Sequence, residues 1–258
     1  MDVIVICLVA LLASGLTLFS GFGLGTLLLP AFLLFFPAEI AVGLTAIVHL
    51  LNNFFKLAVL GKHADLRIVL RFGLPAIVAA IGGASLLFLL VEAAPVLRYD
   101  FLGRVHAITL VNLLIGLLIF GFALIELLPS FNKLQIDPKY LPMGGALSGF
   151  FGGLSGHQGA LRSAFLIHAG LTKEAFIGTG VAIACLIDIT RIAFYANHLQ
   201  MSIVEQNLSL LGGATLSAFV GVFAGNRLVK KVTMRTIRLI VAALLFVVAI
   251  GLGSGLLS

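Results

Sequence analysis

The chain has 258 residues, of which 61% are hydrophobic and 10% charged, and its formal net charge is +6. A soluble domain carries about a quarter charged residues, so this composition excludes a water-soluble globule and points to a polytopic membrane protein. The positive balance is then a topology signal rather than a sign of nucleic acid, and no nucleic-acid partner is expected.

Ten apolar segments follow in chain order: A over 3–20, B over 23–36, C over 39–60, D over 66–92, E over 103–128, F over 140–155, G over 158–170, H over 173–195, I over 203–225 and J over 233–257. At about 1.5 Å of rise per residue, C, D, E, H, I and J are long enough to span a bilayer, A is marginal, and B, F and G are short. All are expected to be helices, because an open sheet would leave backbone groups unpaired in lipid. The predicted fold class is therefore all-α. Pro37-Ala38-Glu39 ends B and starts C with an acid in the first turn, and Thr172-Lys173-Glu174 starts H with Thr172 as N-cap. Pro129, Pro138 and Pro142 mark the one loop of any length, which divides the chain into 1–128, a linker at 129–139 and 140–258.

Two glycine-rich breaks interrupt the apolar sequence, Ser20-Gly21-Phe22-Gly23-Leu24-Gly25 and Ser148 to Gly159. Broken backbone is tolerated at membrane depth only where protein or a watery cavity covers it, and one break per half is the pattern of a transporter with its site at the repeat interface. The halves also match. A shift of 135 residues lays Glu39 on Glu174, Gly43 on Gly178, Asn53 on Asp188, Lys56 on Arg191 and His63 on His198.

Basic residues set the orientation. Lys62, Arg67 and Arg71 put the C–D loop in the cytoplasm, as Arg227, Lys230, Lys231, Arg235 and Arg238 do for I–J, whereas the H–I loop has no Lys or Arg. C–D and H–I are counterparts on opposite sides, so the repeats are expected to be inverted. Segments F and G then enter from the cytoplasm and return to it, and A and B do the same from outside. Each pair is a hairpin turning at its glycine break. Arg98 and Arg104 fall outside in this scheme.

A hairpin that turns within the membrane aims the N-terminus of its second helix at the midplane, where free N–H groups favour an anion. The residues expected to bind one are Phe22, Gly23 and Gly25 at the first break, Gly156, His157, Gln158 and Arg162 at the second, and Asn52, Asn53 and Arg191 on C and H. The plainer alternative is that these glycines only permit close helix packing. Asp188 is the one acid well inside a spanning segment, with Arg191 three positions on and on the same helix face. Asp188, His49 and Lys56 are expected to serve coupling or gating, or, for Asp188, a structural ion pair. Cys7 and Cys185 read as small buried hydrophobes. No metal-binding, Walker or nucleophile-elbow motif is present, so neither cofactor nor metal is expected.

Ser20-Gly-Phe-Gly-Leu-Gly with Leu28-Leu29-Pro30, then Ala41-Val42-Gly43-Leu44-Thr45, then Gly61-Lys-His-Ala-Asp65-Leu66, resembles the first repeat of the sulfite exporter TauE/SafE family of membrane permeases. Gly145 to Gly159 followed by Phe176-Ile-Gly178-Thr179 resembles its second repeat. Leu24 stands where that family usually has glycine, and His157-Gln158 is a further departure. The resemblance implies a multi-pass protein of the bacterial inner membrane that moves small sulfur-containing or organic anions such as sulfite or sulfonates. The expected partners are a small anionic substrate and the lipid bilayer, and a homodimer stays open. An anion channel of the same fold and an intramembrane enzyme are the alternatives. An enzyme would need a second acid, a metal trio or a nucleophile–base pair at depth.

Overall fold

The computed structural model describes residues 2–20, 24–101, 103–127, 136–199, 201–228 and 234–257. The helices are α1 (Asp2–Ser20), α2 (Leu24–Leu33), α3 (Ala38–Leu60), α4 (Leu66–Val91), α5 (Leu110–Leu127), α6 (Leu141–Ser155), α7 (Gly159–Leu166), α8 (Lys173–Tyr195), α9 (Met201–Gln206), α10 (Leu208–Leu228) and α11 (Met234–Gly253). They coincide closely with the ten apolar segments, with segment I split at Asn207 into α9 and α10. By length and composition, Ala38–Val59, Leu66–Val91 and Lys173–Tyr195 are each able to cross a membrane.

The sequence explains several boundaries. Thr172 caps α8 by accepting the Ala175 N–H at 3.3 Å, and Asp65 caps α4 by accepting that of Ile68 at 3.0 Å. Asp137 accepts the Lys139 N–H at 2.8 Å, which opens the 3-10 turn leading into α6. That bond holds the Asp137 carboxyl below the usual carboxylate range.

One expectation fails. Residues 97–108 form an antiparallel hairpin of β1 (Leu97–Phe101) and β2 (Arg104–Ile108), not the start of helix E. Arg98 pairs with Ala107 and Phe101 with Arg104, and Gly103 takes φ 74° in the turn, a conformation that favours glycine. The argument against sheets holds only in hydrocarbon. This ribbon carries Arg98, Asp100 and Arg104 exposed at the end of the bundle, where water satisfies its edges. It docks on the chain after α11: the Tyr99 hydroxyl donates to the Ser254 carbonyl at 2.5 Å, and His106 Nδ1 donates to that of Gly255 at 3.1 Å.

Small residues let the helices meet backbone to backbone. A Cβ on Gly145, Gly149 or Gly153 of α6 would stand 2.0 to 2.1 Å from the carbonyl oxygens of Phe72, Ala76 and Ala80 of α4. The two series rise together in steps of four, so α4 and α6 run parallel and in register. α6 stops beside Ala80 and Gly83, about 12 Å short of the end of α4 at 1.5 Å per residue. Gly221 of α10 lies equally close to the Leu11 carbonyl of α1, and Gly116 of α5 approaches the Ala249 carbonyl of α11. The outer surface is apolar, with Ile4, Val78, Leu117 and Phe223 each at least two-thirds exposed. Polar side chains are buried inside, an arrangement suited to lipid rather than water.

Candidate functional site

The buried polar cluster forms where α3, α8 and the α6–α7 break converge. Gly156 ends α6 at φ 79°. The break then laces itself together, with the Gln158 N–H donating to the Gly156 carbonyl at 3.0 Å and the Ser148 hydroxyl to the Gln158 carbonyl at 2.9 Å. This fixes Gln158 at the start of α7, its side chain directed at α8.

Asp188 of α8 lies at the centre and is fully buried. Its Oδ2 accepts from His49 Nδ1 at 2.6 Å and from Asn53 Nδ2 at 3.3 Å, both on α3. Its Oδ1 accepts from Gln158 Nε2 at 2.9 Å and from Arg191 Nε at 3.0 Å, with Arg191 Nη2 2.9 Å away. Four donors from three elements therefore hold one carboxylate, as a buried charge requires. Arg191 Nη1 also reaches the Gly152 carbonyl at 3.4 Å. Gln158 is oriented at both ends, because its Oε1 accepts from Arg162 Nη1 at 3.2 Å.

The second break meets the first helix after the opposite break. A Cβ on Gly25 of α2 would stand 3.5 Å from the Gly156 carbonyl oxygen, and 3.8 Å from both His49 and Thr45. Gly25, His49, Asn53, Gly156, Gln158, Arg162, Asp188 and Arg191 are thus brought together. Phe22 and Gly23 lie outside the described residues. Lys56, one turn beyond Asn53, is buried and makes no hydrogen bond or ion pair with any described residue. Asn52 is buried away from the cluster, accepting from Ser14 of α1 at 3.2 Å. His157 packs against Phe122 of α5, its ring stacked within 6° of parallel at 5.1 Å, and its Nδ1 lies 3.1 Å from the Ser155 hydroxyl.

Sequence reasoning passed over Tyr195, Thr45 and Ser148. Tyr195 is buried, and its hydroxyl donates to the Gly153 carbonyl. Its position one turn after Arg191, on the Asp188 face, was the available signal. The Thr45 hydroxyl is buried without a hydrogen-bond partner among the described residues. It lies one turn before His49.

No curated protein matches this chain when sequences are compared. The family model described as sulfite exporter TauE/SafE matches residues 6–252. With that match over nearly its whole length, and with a lipid-suited exterior around a buried polar centre, the chain belongs to the sulfite exporter TauE/SafE family of membrane transport proteins.

Proposed function

We propose that this protein is a secondary transporter of the bacterial inner membrane that exports small sulfur-containing or organic anions, such as sulfite or sulfonates, by alternating access. In this reading residues 1–128 and 140–258 are inverted repeats joined by a cytoplasmic linker. The anion sits between the two glycine breaks, held by the amide ends of α2 and α7 with Arg162, Arg191, Gln158 and Asn53. His49 and Asp188, which tie one half to the other, serve coupling, with a proton as the coupling ion.

The observation that carries the reading is the meeting of the start of α2 with the second break beside a buried cationic cluster: Gly25 faces the Gly156 carbonyl, with His49 adjacent to both Gly25 and Asp188. The packing supports the repeats. Exchanging α1 with α6, α2 with α7, α3 with α8, α4 with α10 and α5 with α11 carries the main helix pairings into one another. Under it the Gly83–Phe150 approach becomes that of Gly221 to Leu11. Asn53 and Asp188, counterparts by the 135-residue shift, bond to each other, as residues near a two-fold axis do. Parallel α4 and α6 suit a hairpin that enters from the side where α4 begins, and the Arg71 bond to the Lys139 carbonyl at 3.4 Å puts both starts together.

Saturable flux of radiolabelled sulfite in proteoliposomes tests the proposal. Flux unaffected by Arg162→Ala and Arg191→Ala together would remove the site.

A further inference from the structure

We infer that the site between the breaks takes a dianion in preference to a monoanion. This rests on the transport reading and adds to it the charge of the substrate. It also moves Lys56 from gating to substrate binding.

Among the described residues, four charged side chains are buried: Lys56, Arg162, Asp188 and Arg191, none more than 8% exposed. Three are cations and one is a carboxylate. Asp188 is taken by Arg191, which contacts it through Nε and Nη2. His49 donates its Nδ1 proton to the same carboxylate at 2.6 Å. What remains is Lys56 and Arg162, with no acid paired to either among the described residues. Among the described residues, the only acceptor for Arg162 is the neutral amide oxygen of Gln158, 3.2 Å away, and Lys56 has none. Asp188 acts on Arg162 only at a distance.

Two buried cations with no acidic partner among the described residues are unstable by several kcal/mol each unless something neutralises them. They come from different elements, Lys56 from α3, one turn beyond Asn53, and Arg162 from α7, one turn beyond Gln158. A guest with one negative charge leaves one of them bare, whereas a guest with two compensates both. The amide end of α2 adds further partial positive charge. Lys supplies a compact point charge and Arg a planar fork, so together they suit either one small oxyanion bearing both charges or a short organic anion with an acid group at each end.

The test uses full-length protein in proteoliposomes, with labelled sulfite flux competed by unlabelled sulfate, ethane-1,2-disulfonate or methanesulfonate. The two dianions are expected to compete at least about tenfold better than the monoanion. Sulfate competing alone identifies a compact guest, and disulfonate competing alone a two-ended one; either supports a dianion site. Lys56→Gln and Arg162→Gln should each abolish that preference. A melting measurement on ligand-free protein in detergent reads the same claim without transport. Lys56→Met should raise the melting temperature by at least about 2 °C, because it removes an unpaired buried charge. Equal competition by methanesulfonate, with Lys56→Met melting at or below the wild-type temperature, would overturn the dianion assignment and leave transport standing. Loss of saturable sulfite flux in the wild type, with dianion-induced thermal stabilisation retained, would instead overturn the transport reading.

Discussion

His49 of α3 donates its Nδ1 proton to Asp188 of α8 across 2.6 Å, and this contact ties together residues 139 positions apart in sequence. The same carboxylate anchors Arg191 and, through Gln158, the second break. Asp188→Asn keeps the shape and removes the charge, which leaves Arg191 uncompensated in a buried site. Removing one partner of a buried pair costs about 3–5 kcal/mol. The variant is expected to lose most of its folded population in detergent, and Asp188→Asn with Arg191→Gln should recover part of it. Melting curves of the purified variants check both outcomes; a single variant as stable as wild type would show that the carboxylate holds nothing.

The α4–α6 contact predicts a sharp contrast between glycines. A methyl on Gly149 would stand 2.1 Å from the Ala76 carbonyl oxygen, and Gly145 and Gly153 are equally tight. None of these obstacles is a flexible side chain, so α6 must move away from α4. Gly149→Ala is expected to destabilise by about 1–3 kcal/mol, as overpacking does. Gly82 lies on the same helix as Ala76 but meets nothing within 4 Å, and Gly82→Ala should be neutral or slightly stabilising. Yield and melting temperature in detergent distinguish them.

How much of this was legible follows from the range of each interaction. The ends of α3 and α8 were readable because Pro37, Glu39 and Thr172 act within one turn of themselves. The Asp188–Arg191 pair was readable for the same reason, since three residues on a helix put both on one face. The matching of Asn53 to Asp188 in the two halves marked both positions, although nothing local said that they touch. The hairpin over 97–108 was missed because its hydrogen bonds join residues up to eleven apart, and because Val105, Ala107 and Ile108 were absorbed into the apolar run of α5. The stacking of His157 on Phe122, rather than on the cluster, depends on how α5 passes the break. No spacing along the chain encodes that.

Gly25 and Gly156 separate packing from function. Gly156 has φ 79°, and its added Cβ would meet Arg191 Nη1 at 2.9 Å. Gly156→Ala therefore forces a left-handed backbone on a residue with a Cβ, at about 1–2 kcal/mol, and pushes the guanidinium off the Gly152 carbonyl. Lower stability and lower flux are expected together. Around Gly25 the nearest atoms would be 3.5 and 3.8 Å from the methyl, which is ordinary contact. Gly25→Ala is expected to melt at or slightly above the wild-type temperature while flux falls, because the methyl fills the gap facing the opposite break. Wild-type flux in Gly25→Ala would place the anion elsewhere.

The hairpin supplies a test of sidedness that needs no transport. Tyr99 and His106 bind the carbonyls of Ser254 and Gly255, so the 97–108 ribbon and the C-terminal turn lie on one face of the membrane. In the proposed topology the basic loops start α4 and α11 in the cytoplasm, which puts both ends outside. Single cysteines at exposed Asp100 and at Ser254, in a background with Cys7 and Cys185 replaced by Ala, should both react with a membrane-impermeant maleimide applied to intact cells. Cysteine in place of exposed Lys62, in the loop between α3 and α4, should react only after permeabilisation. Tyr99→Phe removes the donor to Ser254 and should cost about 0.5–1.5 kcal/mol of stability without changing any label. Asp100 and Lys62 reacting from the same side would require α4 not to cross, and the inverted-repeat arrangement would fall with it.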